Sequence, residues 1–257
     1  MSGASRRGLI RAAGASLAGL TLAACDRLNA SPGFSRVLAG AEDLTRRAQR
    51  MVTDRKALAR EFSPADISPD FKANGTLRPS SAAYAAQAAA GFADWRIVVD
   101  GLVERPLSLS LAELRAMPAR TQITRHDCVE GWSSIGKWTG ARLGPLVDRA
   151  GLKPEARYLV FHCADHLGPN QDATDRYYES IDLIDAYHPQ TILAYEMNDA
   201  VLPVPHGAPV RLRVERQLGY KHAKYVQRIE AVADFAHIGG GKGGFWEDRG
   251  YEWYAGI

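Results

Sequence analysis

Residues 125–133 read Arg-His-Asp-Cys-Val-Glu-Gly-Trp-Ser. The preceding residues at 122–125 predict a strand, so Cys128 stands where this strand passes into a loop. A free cysteine in such a segment is most often an inert buried thiol. The alternative is a thiolate ligand for a soft-ligand metal site, which must be deprotonated to bind and which Arg125 or His126 would stabilise.

A cluster of basic side chains follows further along the chain. Five cationic residues fall between positions 211 and 224, with Glu215 as the one acidic residue among them: Arg211, Arg213, Arg216, Lys221 and Lys224. Such a cluster suits a ligand phosphate, and Gly207 and Gly219 would let the backbone approach a ligand closely. Alternation of basic and apolar residues at 211–214 is also the pattern of a solvent-facing strand. The residues alone favour that second interpretation.

The Cys-Val-Glu-Gly-Trp-Ser run at 128–133, with Trp-Thr-Gly at 138–140, resembles a specific motif of the sulfite oxidase-like molybdopterin oxidoreductases. The subgroup it most resembles includes the catalytic subunit of the periplasmic methionine sulfoxide reductase. Further landmarks follow in the family's order at 71–76, 99–103, 188–191, 206–211, 218–224 and 246–251. The resemblance covers most of the chain. It implies an α+β fold of mixed sheets with short helices, and Mo-molybdopterin as the cofactor.

The resemblance also implies the site residues. The family's cysteine at the motif position coordinates molybdenum, which makes Cys128 the metal ligand and the catalytic residue. Cofactor contacts are implied at Asn74, Gly75, Cys128, Arg211, Gly219, His222, Ala223 and Lys224, the last three partly through their backbone. Cys163 and His206 stand where the reductase has other polar cofactor-contacting residues, and both are substitutions. At Asn74 and Gly75 a simple turn is an equal alternative.

An enzyme of this family performs two-electron oxo transfer, which here implies a small or protein-bound S-oxide or N-oxide-type substrate. Sulfite oxidation by the same fold is the nearest alternative, and a non-catalytic lipoprotein binding module is the alternative from another class. No Cys-x-x-Cys-His haem motif occurs in the sequence, so we expect a separate electron-transfer protein, a membrane haem subunit or a cytochrome. No room remains after residue 254 for the immunoglobulin-like dimerisation domain of the sulfite oxidases themselves, which predicts a monomer.

The first 24 residues predict an export signal. Arg6 and Arg7 form a twin-arginine pair, followed by a stretch of small residues and leucines too short to span a membrane comfortably. Leu-Ala-Ala-Cys at 22–25 resembles a lipobox, which would make Cys25 the lipidated first residue; an ordinary signal peptide is the alternative. We therefore expect a periplasmic protein that reaches the membrane only through a lipid anchor. Without these 24 residues the chain has 29 basic and 29 acidic residues, so nothing indicates nucleic-acid binding.

The rest of the chain divides by pattern. We predict a tether at 25–34, a helix at 35–61 whose apolar stripe packs on the body, an irregular segment at 62–81, and one α+β domain at 82–257. A capping box of Ser110 and Glu113 predicts a helix at 111–117, and helical spacing predicts another at 142–150. Strands are predicted at 95–99, 122–125, 157–162, 177–181, 192–197, 209–214 and 223–232.

Two further groups of side chains have open interpretations. Cys163 lies among three residues that suggest a zinc or hydrolase site: His162, Asp165 and His166. Adjacent residues on a strand point to opposite faces and no second ligand pair has zinc spacing, so a plain loop is favoured. In an exported protein Cys128 and Cys163 could instead pair as a disulfide. Four aromatic residues are candidates for a cavity entrance, although core packing is favoured for each: Tyr177, Tyr178, Tyr220 and Trp246.

Overall fold

The computed structural model describes residues 31–168 and 175–257, so the twin-arginine pair, the lipobox and Cys25 lie outside the described residues. Contacts divide the chain into two units, with the boundary between Val52 and Thr53. Helix α1 (Pro32–Val52) belongs to the first unit and is described by itself. The packing of its apolar stripe on the body, and the division of the chain at 81, stay predictions.

Helix α1 ends nine residues before the predicted end at position 61. The side chain of Asp54 accepts a hydrogen bond from the Lys56 backbone N–H at 2.7 Å, and the Asp54 carbonyl accepts from the Ala57 N–H at 3.0 Å. A short polar side chain that bonds its neighbouring backbone offers an alternative to the helical ladder, and the chain takes that alternative here.

Two five-stranded sheets form the second unit. The first sheet has the order β2-β1-β10-β5-β6. Its strands are β1 (Arg96–Gly101), β2 (Leu107–Ser110), β5 (Tyr158–His166), β6 (Arg176–Asp182) and β10 (Val226–Val232). Strand β1 runs parallel to β10, with Val98 opposite Arg228, and the other pairings in this sheet are antiparallel. The first strand of the domain, β1, therefore pairs with the last strand, β10.

The second sheet is antiparallel and has the order β3-β4-β7-β8, with β9 paired to β7. Its strands are β3 (Ala119–Asp127), β4 (Ser133–Arg142), β7 (Ile192–Met197), β8 (Ala200–Val201) and β9 (Arg211–Arg213). The Asn198-Asp199 turn joins β7 to β8 with positive φ values of 52° and 63°, as a tight hairpin turn requires.

Short helices occupy the connections. They are α2 (Ala82–Ala89), α3 (Leu111–Arg115), α4 (Leu143–Ala150) and α5 (Leu183–Ala186). The predicted capping box starts α3: Glu113 accepts from the Ser110 backbone N–H at 2.8 Å, and Ser110 Oγ accepts from the Glu113 N–H at 3.2 Å. Gly151 follows α4 with a φ of 72°. In the described ranges, no helix has both the length and the apolar content that crossing a membrane demands.

The main core lies between the two sheets. Ile97, Phe161 and Ile229 from the first sheet belong to the same buried cluster as Leu193 and Leu212 from the second, and all five side chains are fully buried. Burial of such side chains from two facing sheets is the principal stabilising contribution in a fold of this kind. The mixed α+β architecture expected from the sequence is confirmed.

Several elements were not predicted, among them β2, β4, β8, α2 and α5. Strand β4 (Ser133–Arg142) carries serine, glycine, lysine and threonine between its apolar residues, which hides the period-2 pattern. Helix α2 begins at Ser81, whose hydroxyl accepts from the Tyr84 N–H at 3.1 Å, and its alanine-rich sequence has little amphipathic signal. Pairing with β3 and β7 decides β4 more than local preference does, whereas the alanine content and the Ser81 cap of α2 are local signals that favour a helix.

Candidate active site

Cys128 lies at the end of β3, in the loop that leads to β4. Its backbone N–H donates to the Trp132 carbonyl at 3.0 Å, and its carbonyl accepts from the Gly131 N–H at 3.0 Å. Gly131 adopts a φ of 85°, which a glycine tolerates without strain. These bonds close a tight loop that holds the half-buried thiol at the wall of a cavity. Cys128 and Cys163 are both free thiols, so the disulfide alternative is wrong.

The cavity brings together residues from distant parts of the chain. Eight of the ten predicted cofactor-contacting residues line it: Asn74, Gly75, Cys128, His206, Arg211, Gly219, His222 and Lys224. Cys163 and Ala223 do not reach the cavity wall. Cys163 is fully buried in the main core, where burial raises the pKa of its thiol. Ala223 is buried as well, and its carbonyl accepts from the Leu212 N–H at 2.8 Å.

Asn74 is the residue that contacts the Cys128 sulfur. Its amide Nδ2 donates to Cys128 Sγ at 3.5 Å and to Glu130 Oε1 at 3.2 Å. Glu130 Oε2 accepts from both Trp132 Nε1, at 3.1 Å, and Lys72 Nζ, at 3.3 Å. Hydrogen bonds from Trp132, Asn74 and Lys72 keep the pKa of Glu130 below its ordinary value. Asn74 is therefore more than a turn residue, because its amide is oriented at the sulfur.

Arg211 supplies a buried positive charge to the cavity. Its Nη1 donates to the His206 carbonyl at 3.1 Å and its Nη2 to the His222 carbonyl at 3.4 Å, while its Nε has no partner in the described chain. Burial, and then the neighbouring charge of Arg213, lower the pKa of Arg211 to about 9. Buried charges are normally paired, so the cavity at Arg211 is suited to an anion.

Lys224 forms part of the cavity wall. Its ammonium donates to the carbonyl oxygens of Asn74, Thr76 and Pro205, the last at 3.0 Å and the first at 2.7 Å. Three carbonyl acceptors use all three ammonium N–H groups. Burial, and then Arg211, lower the pKa of Lys224 to about 7. Lys224 therefore ties the Asn74 loop to the segment before β9, and its contact with a cofactor phosphate stays a prediction.

Three histidines line the cavity as neutral side chains. Arg213 Nη1 donates to His126 Nδ1 at 3.0 Å, which places the imidazole proton of His126 on Nε2. His222 Nε2 lies 3.1 Å from the Gln217 carbonyl, which leaves its Nδ1 as a buried acceptor without a partner in the described residues. Burial is the main cause that lowers all three pKa values, that of His206 to about 4. A neutral His126 does not stabilise a thiolate by charge.

Arg213 corrects the interpretation of β9 as a solvent-facing strand. Its side chain is completely buried, and its guanidinium donates to both Glu215 carboxylate oxygens, at 2.8 and 2.6 Å. The guanidinium carbon also lies 4.4 Å above the Trp138 ring. Leu212 and Val214, on the other face, are buried too. Both faces of the strand are therefore in the interior, and its polar face carries a buried ion pair.

The remaining predicted cations lie away from the cavity. Arg216 donates to the Asp54 carbonyl at 2.9 Å, and Lys221 is buried between Glu179 and Glu247. Arg125 pairs with Asp127 at 2.9 Å and does not line the cavity. Of the five clustered cations, the structure brings Arg211 and Lys224 to the site. The other three have partners elsewhere: Glu215 for Arg213, the Asp54 carbonyl for Arg216, and Glu179 with Glu247 for Lys221.

The hypothetical zinc residues separate. His162 Nε2 lies 2.8 Å from Glu230 Oε2 and belongs to a half-buried surface ion cluster, while Cys163 on the opposite face of β5 is in the core. Asp165 lines the cavity instead, and burial raises its pKa to about 6. Within residues 31–168 and 175–257, no three histidine, cysteine or carboxylate side chains converge as metal ligands.

Aromatic rings form the outer part of the cavity. Tyr177, Tyr220 and Trp246 line it, although core packing was favoured for each. Tyr177 and Tyr178 do belong to the main core, and Tyr178 bonds Asp248 at 2.5 Å without lining the cavity. Sequence reasoning missed several lining residues: Phe71, Lys72, Thr76, Asp165, Leu167, Pro205 and Tyr251. The landmarks at 71–76 and 246–251 could have indicated most of them, since both segments were already recognised as family positions.

The model of an oxidoreductase molybdopterin binding domain matches residues 84–237. A putative protein-methionine-sulfoxide reductase subunit YedZ1 of Azospira oryzae is 40% identical over 164 residues, which cover 64% of this chain and 56% of that protein. The protein-methionine-sulfoxide reductase catalytic subunit MsrP of Ralstonia nicotianae is 35% identical over 173 residues, 65% of this chain and 48% of that one.

Among solved structures, the sulfane dehydrogenase SoxCD of Paracoccus pantotrophus aligns with a TM-score of 0.48 and 25% identity, over 55% of this chain and 39% of that chain. The chain spans about half the length of the curated relatives it matches. The domain match covers more than half of the sequence, from before β1 to beyond β10. The chain therefore belongs to the family of the oxidoreductase molybdopterin binding domain.

Proposed function

We propose that this protein is a molybdopterin-dependent oxidoreductase that reduces an S-oxide by two-electron oxo transfer. The observation that carries the proposal is the placement of the Cys128 thiol in one cavity with the buried, anion-seeking guanidinium of Arg211. The names of the relatives, which are protein-methionine-sulfoxide reductase subunits, favour reduction of a sulfoxide over oxidation of sulfite. An N-oxide is the wider alternative within the same chemistry.

The residues present fit the cofactor. Arg211 Nε is a buried donor without a partner among the described residues and suits the cofactor phosphate, while His222 Nδ1 is a buried acceptor that suits a pterin N–H. Gly219 packs closely on His126 at the wall, where a Cβ would lie 2.6 Å from His126 Nε2. Cys128 provides the thiolate ligand. When bound, the molybdenum centre supplies the two-electron oxo-transfer chemistry.

The side chains of the protein would orient the metal-binding sulfur and supply protons to the substrate. Asn74 Nδ2 fixes the Cys128 sulfur by its 3.5 Å contact, and Lys224 holds the Asn74 loop in place. Reduction of a sulfoxide to a thioether consumes two electrons and two protons and releases water. Asp165, whose pKa burial raises to about 6, holds a proton on part of its carboxyl population near neutral pH and lines the same cavity. It is suited to proton supply.

Export, anchoring and partners belong to the same proposal. The twin-arginine pair and the lipobox support secretion to the periplasm and a lipid anchor on Cys25. Electrons would come from a separate membrane haem subunit or cytochrome, since the sequence carries no haem-attachment motif. We propose that the domain acts as a monomer. Labelling with a radioactive fatty acid, in the wild type and in Cys25→Ala, tests the anchor directly.

The test of the catalytic proposal compares Cys128→Ala with Cys163→Ala, a matched control that removes the thiol outside the cavity. Protein exported from its native host is assayed for molybdenum, for pterin fluorescence, and for reduction of methionine sulfoxide by a reduced viologen. We expect Cys128→Ala to lose activity by at least about a hundredfold, because it removes a metal ligand, while part of the pterin stays bound. Cys163→Ala should keep both metal and activity.

Full turnover in Cys128→Ala would rule out the assigned role. Purified wild-type protein with no molybdenum would favour the non-catalytic binding module, and zinc in its place would favour a hydrolase. Oxidation of sulfite without reduction of any sulfoxide would reverse the proposed direction and leave the cofactor assignment intact.

A further inference from the structure

Three segments distant in sequence each contribute an aromatic ring to the outer cavity. Tyr177 comes from β6, Tyr220 from the turn at Gly219–Lys221, and Trp246 and Tyr251 from the C-terminal segment 239–257. These four residues are here called the aromatic wall. Tyr251 stacks on Trp246 at 5.2 Å with an interplanar angle of 27° and meets Tyr220 edge-on at 5.2 Å. Tyr177 Oη donates to the Tyr220 carbonyl.

The same three segments meet a second time, at a buried ionic cluster. Lys221 Nζ lies 2.5 Å from Glu179 Oε1 and 2.6 Å from Glu247 Oε1, and all three side chains are at most 1% exposed. This cluster is here called the ionic latch. Each latch residue is next to a wall residue, or two positions away, on the same segment. The positions of the latch residues therefore constrain the positions of the wall residues.

The latch has no partner in the cavity. None of its three residues lines the cavity wall, and Lys221 carries no contact to the Cys128 region that the structure records. Glu179 Oε2 and Glu247 Oε2 are buried without a hydrogen-bond donor in the described chain. Burial opposes the charge of Lys221, but Glu179 and Glu247 outweigh it and raise its pKa. Burial and the neighbouring Glu247 in turn raise the pKa of Glu179 well above its ordinary value. Such a buried charged cluster stabilises a fold less than apolar packing would, which points to a positioning role.

The C-terminal segment passes close to this cluster, and other contacts hold the segment as well, among them Tyr178 Oη with Asp248 and Trp253 Nε1 with Ser180 Oγ. Gly244 passes so close that an added Cβ would lie 2.0 Å from Glu247 Oε2 and 2.8 Å from Glu179 Oε1. The Phe245 N–H donates to the Tyr178 carbonyl at 3.0 Å, so the segment runs along the edge of β6. From there Trp246 and Tyr251 turn onto the cavity. Loss of the latch would remove the ionic contact next to Trp246 in the segment that carries half of the wall.

We propose that the Glu179–Lys221–Glu247 latch is a positioning device that sets the aromatic wall, and through the wall the affinity for the organic part of the sulfoxide substrate. The proposal rests on the proposed function for its substrate, but not for the docking of the segment. Apolar rings suit the methylene groups and sulfur of a methionine sulfoxide side chain, which the wall would contact beyond the reacting oxygen. The latch residues lie outside the cavity wall, so they would act on the substrate through the wall residues.

The experiment uses the loaded full chain with Lys221→Met, which removes the charge, and Glu247→Gln, which keeps an acceptor for Lys221. The exposed Lys153→Met is the matched control. Kinetics are measured with a methionine sulfoxide peptide and a reduced viologen. We expect the KM to rise about tenfold, as the loss of aromatic contacts predicts, with kcat and molybdenum content close to wild type. In a Trp246→Ala background, Lys221→Met should raise KM little further, since the wall is already broken.

Limited trypsinolysis supplies a readout that needs no activity. The exposed Lys242 lies in the C-terminal segment, and cleavage after it should become about tenfold faster in Lys221→Met and Glu247→Gln, but not in Lys153→Met. An unchanged KM in Lys221→Met and Glu247→Gln overturns the proposal. So does an equal rise in KM caused by Lys221→Met in the wild-type and Trp246→Ala backgrounds. If Lys221→Met does not fold, Glu247→Gln decides. If the loaded wild-type protein reduces no sulfoxide, the proposed function fails. An unchanged rate of cleavage after Lys242 in the latch variants would overturn the positioning role of the latch, whatever the activity.

Discussion

Arg213→Met is expected to destabilise the protein because it leaves the buried Glu215 carboxylate without its cationic partner. The two side chains of the Arg213–Glu215 pair are completely buried, and two hydrogen bonds of 2.8 and 2.6 Å join them. Removing one partner of a buried ion pair costs about 3–5 kcal/mol. Gln122 Nε2 still donates to Glu215 Oε1 at 2.9 Å, so we expect the lower end, about 3 kcal/mol. For a domain of this size that lowers Tm by about 6–12 °C.

The assay is urea unfolding of the metal-free protein at neutral pH, followed by tryptophan fluorescence. The double variant Arg213→Met, Glu215→Leu serves as the comparison, because replacing both charges by apolar groups is often neutral or stabilising. We expect the double variant to recover at least half of the loss. A single variant that costs less than about 1 kcal/mol would show that Glu215 relaxes or takes up a proton without penalty, and it would refute the reasoning.

Two further predictions concern the cavity wall. The pKa of Lys224 is about 7 in the folded protein against an ordinary value of 10.5, so the unfolded chain binds more protons between these two pH values. The stability of the metal-free protein should therefore rise with pH over that window, and the urea midpoints of Lys224→Met should lack this rise. Parallel pH profiles for the two proteins would contradict the assignment. Gly219→Ala would place a methyl group 2.6 Å from His126 Nε2, so we expect it to displace the imidazole and lower the molybdenum content. The control is Gly40→Ala in helix α1, where an added Cβ meets no atom within 4 Å and the glycine has no left-handed φ.

Features set by neighbouring residues could be predicted from the sequence. The Ser110–Glu113 capping box and the Asn198-Asp199 turn depend on atoms a few positions apart, and both form as expected. The motif around Cys128 placed the thiol at the end of a strand, where the structure has it. The resemblance added Asn74 and Arg211, which no local pattern singles out, and both line the cavity.

Features that depend on distant partners could not be predicted. Basic and apolar residues alternate along β9 in the same way whether its arginines contact water or contact Glu215 and Trp138. The period of a sequence pattern shows which residues share a face of the strand, but it does not show what packs against that face. Lys221 was grouped with the phosphate-binding cations because its two carboxylates lie 42 and 26 positions away. Lys224 bonds a carbonyl 150 positions away, so its role in the wall has no signal nearby in the sequence.

The parallel pairing of β1 with β10 has a consequence for biosynthesis. Until translation has passed Val232, β1 has one neighbour, β2, and the central ladder of its sheet does not exist. Contacts of such high sequence separation must wait for loop closure, so the nascent domain stays open on the ribosome for most of its synthesis. A chaperone that shields the unpaired edge of β1 during that interval would act before any cofactor can be retained.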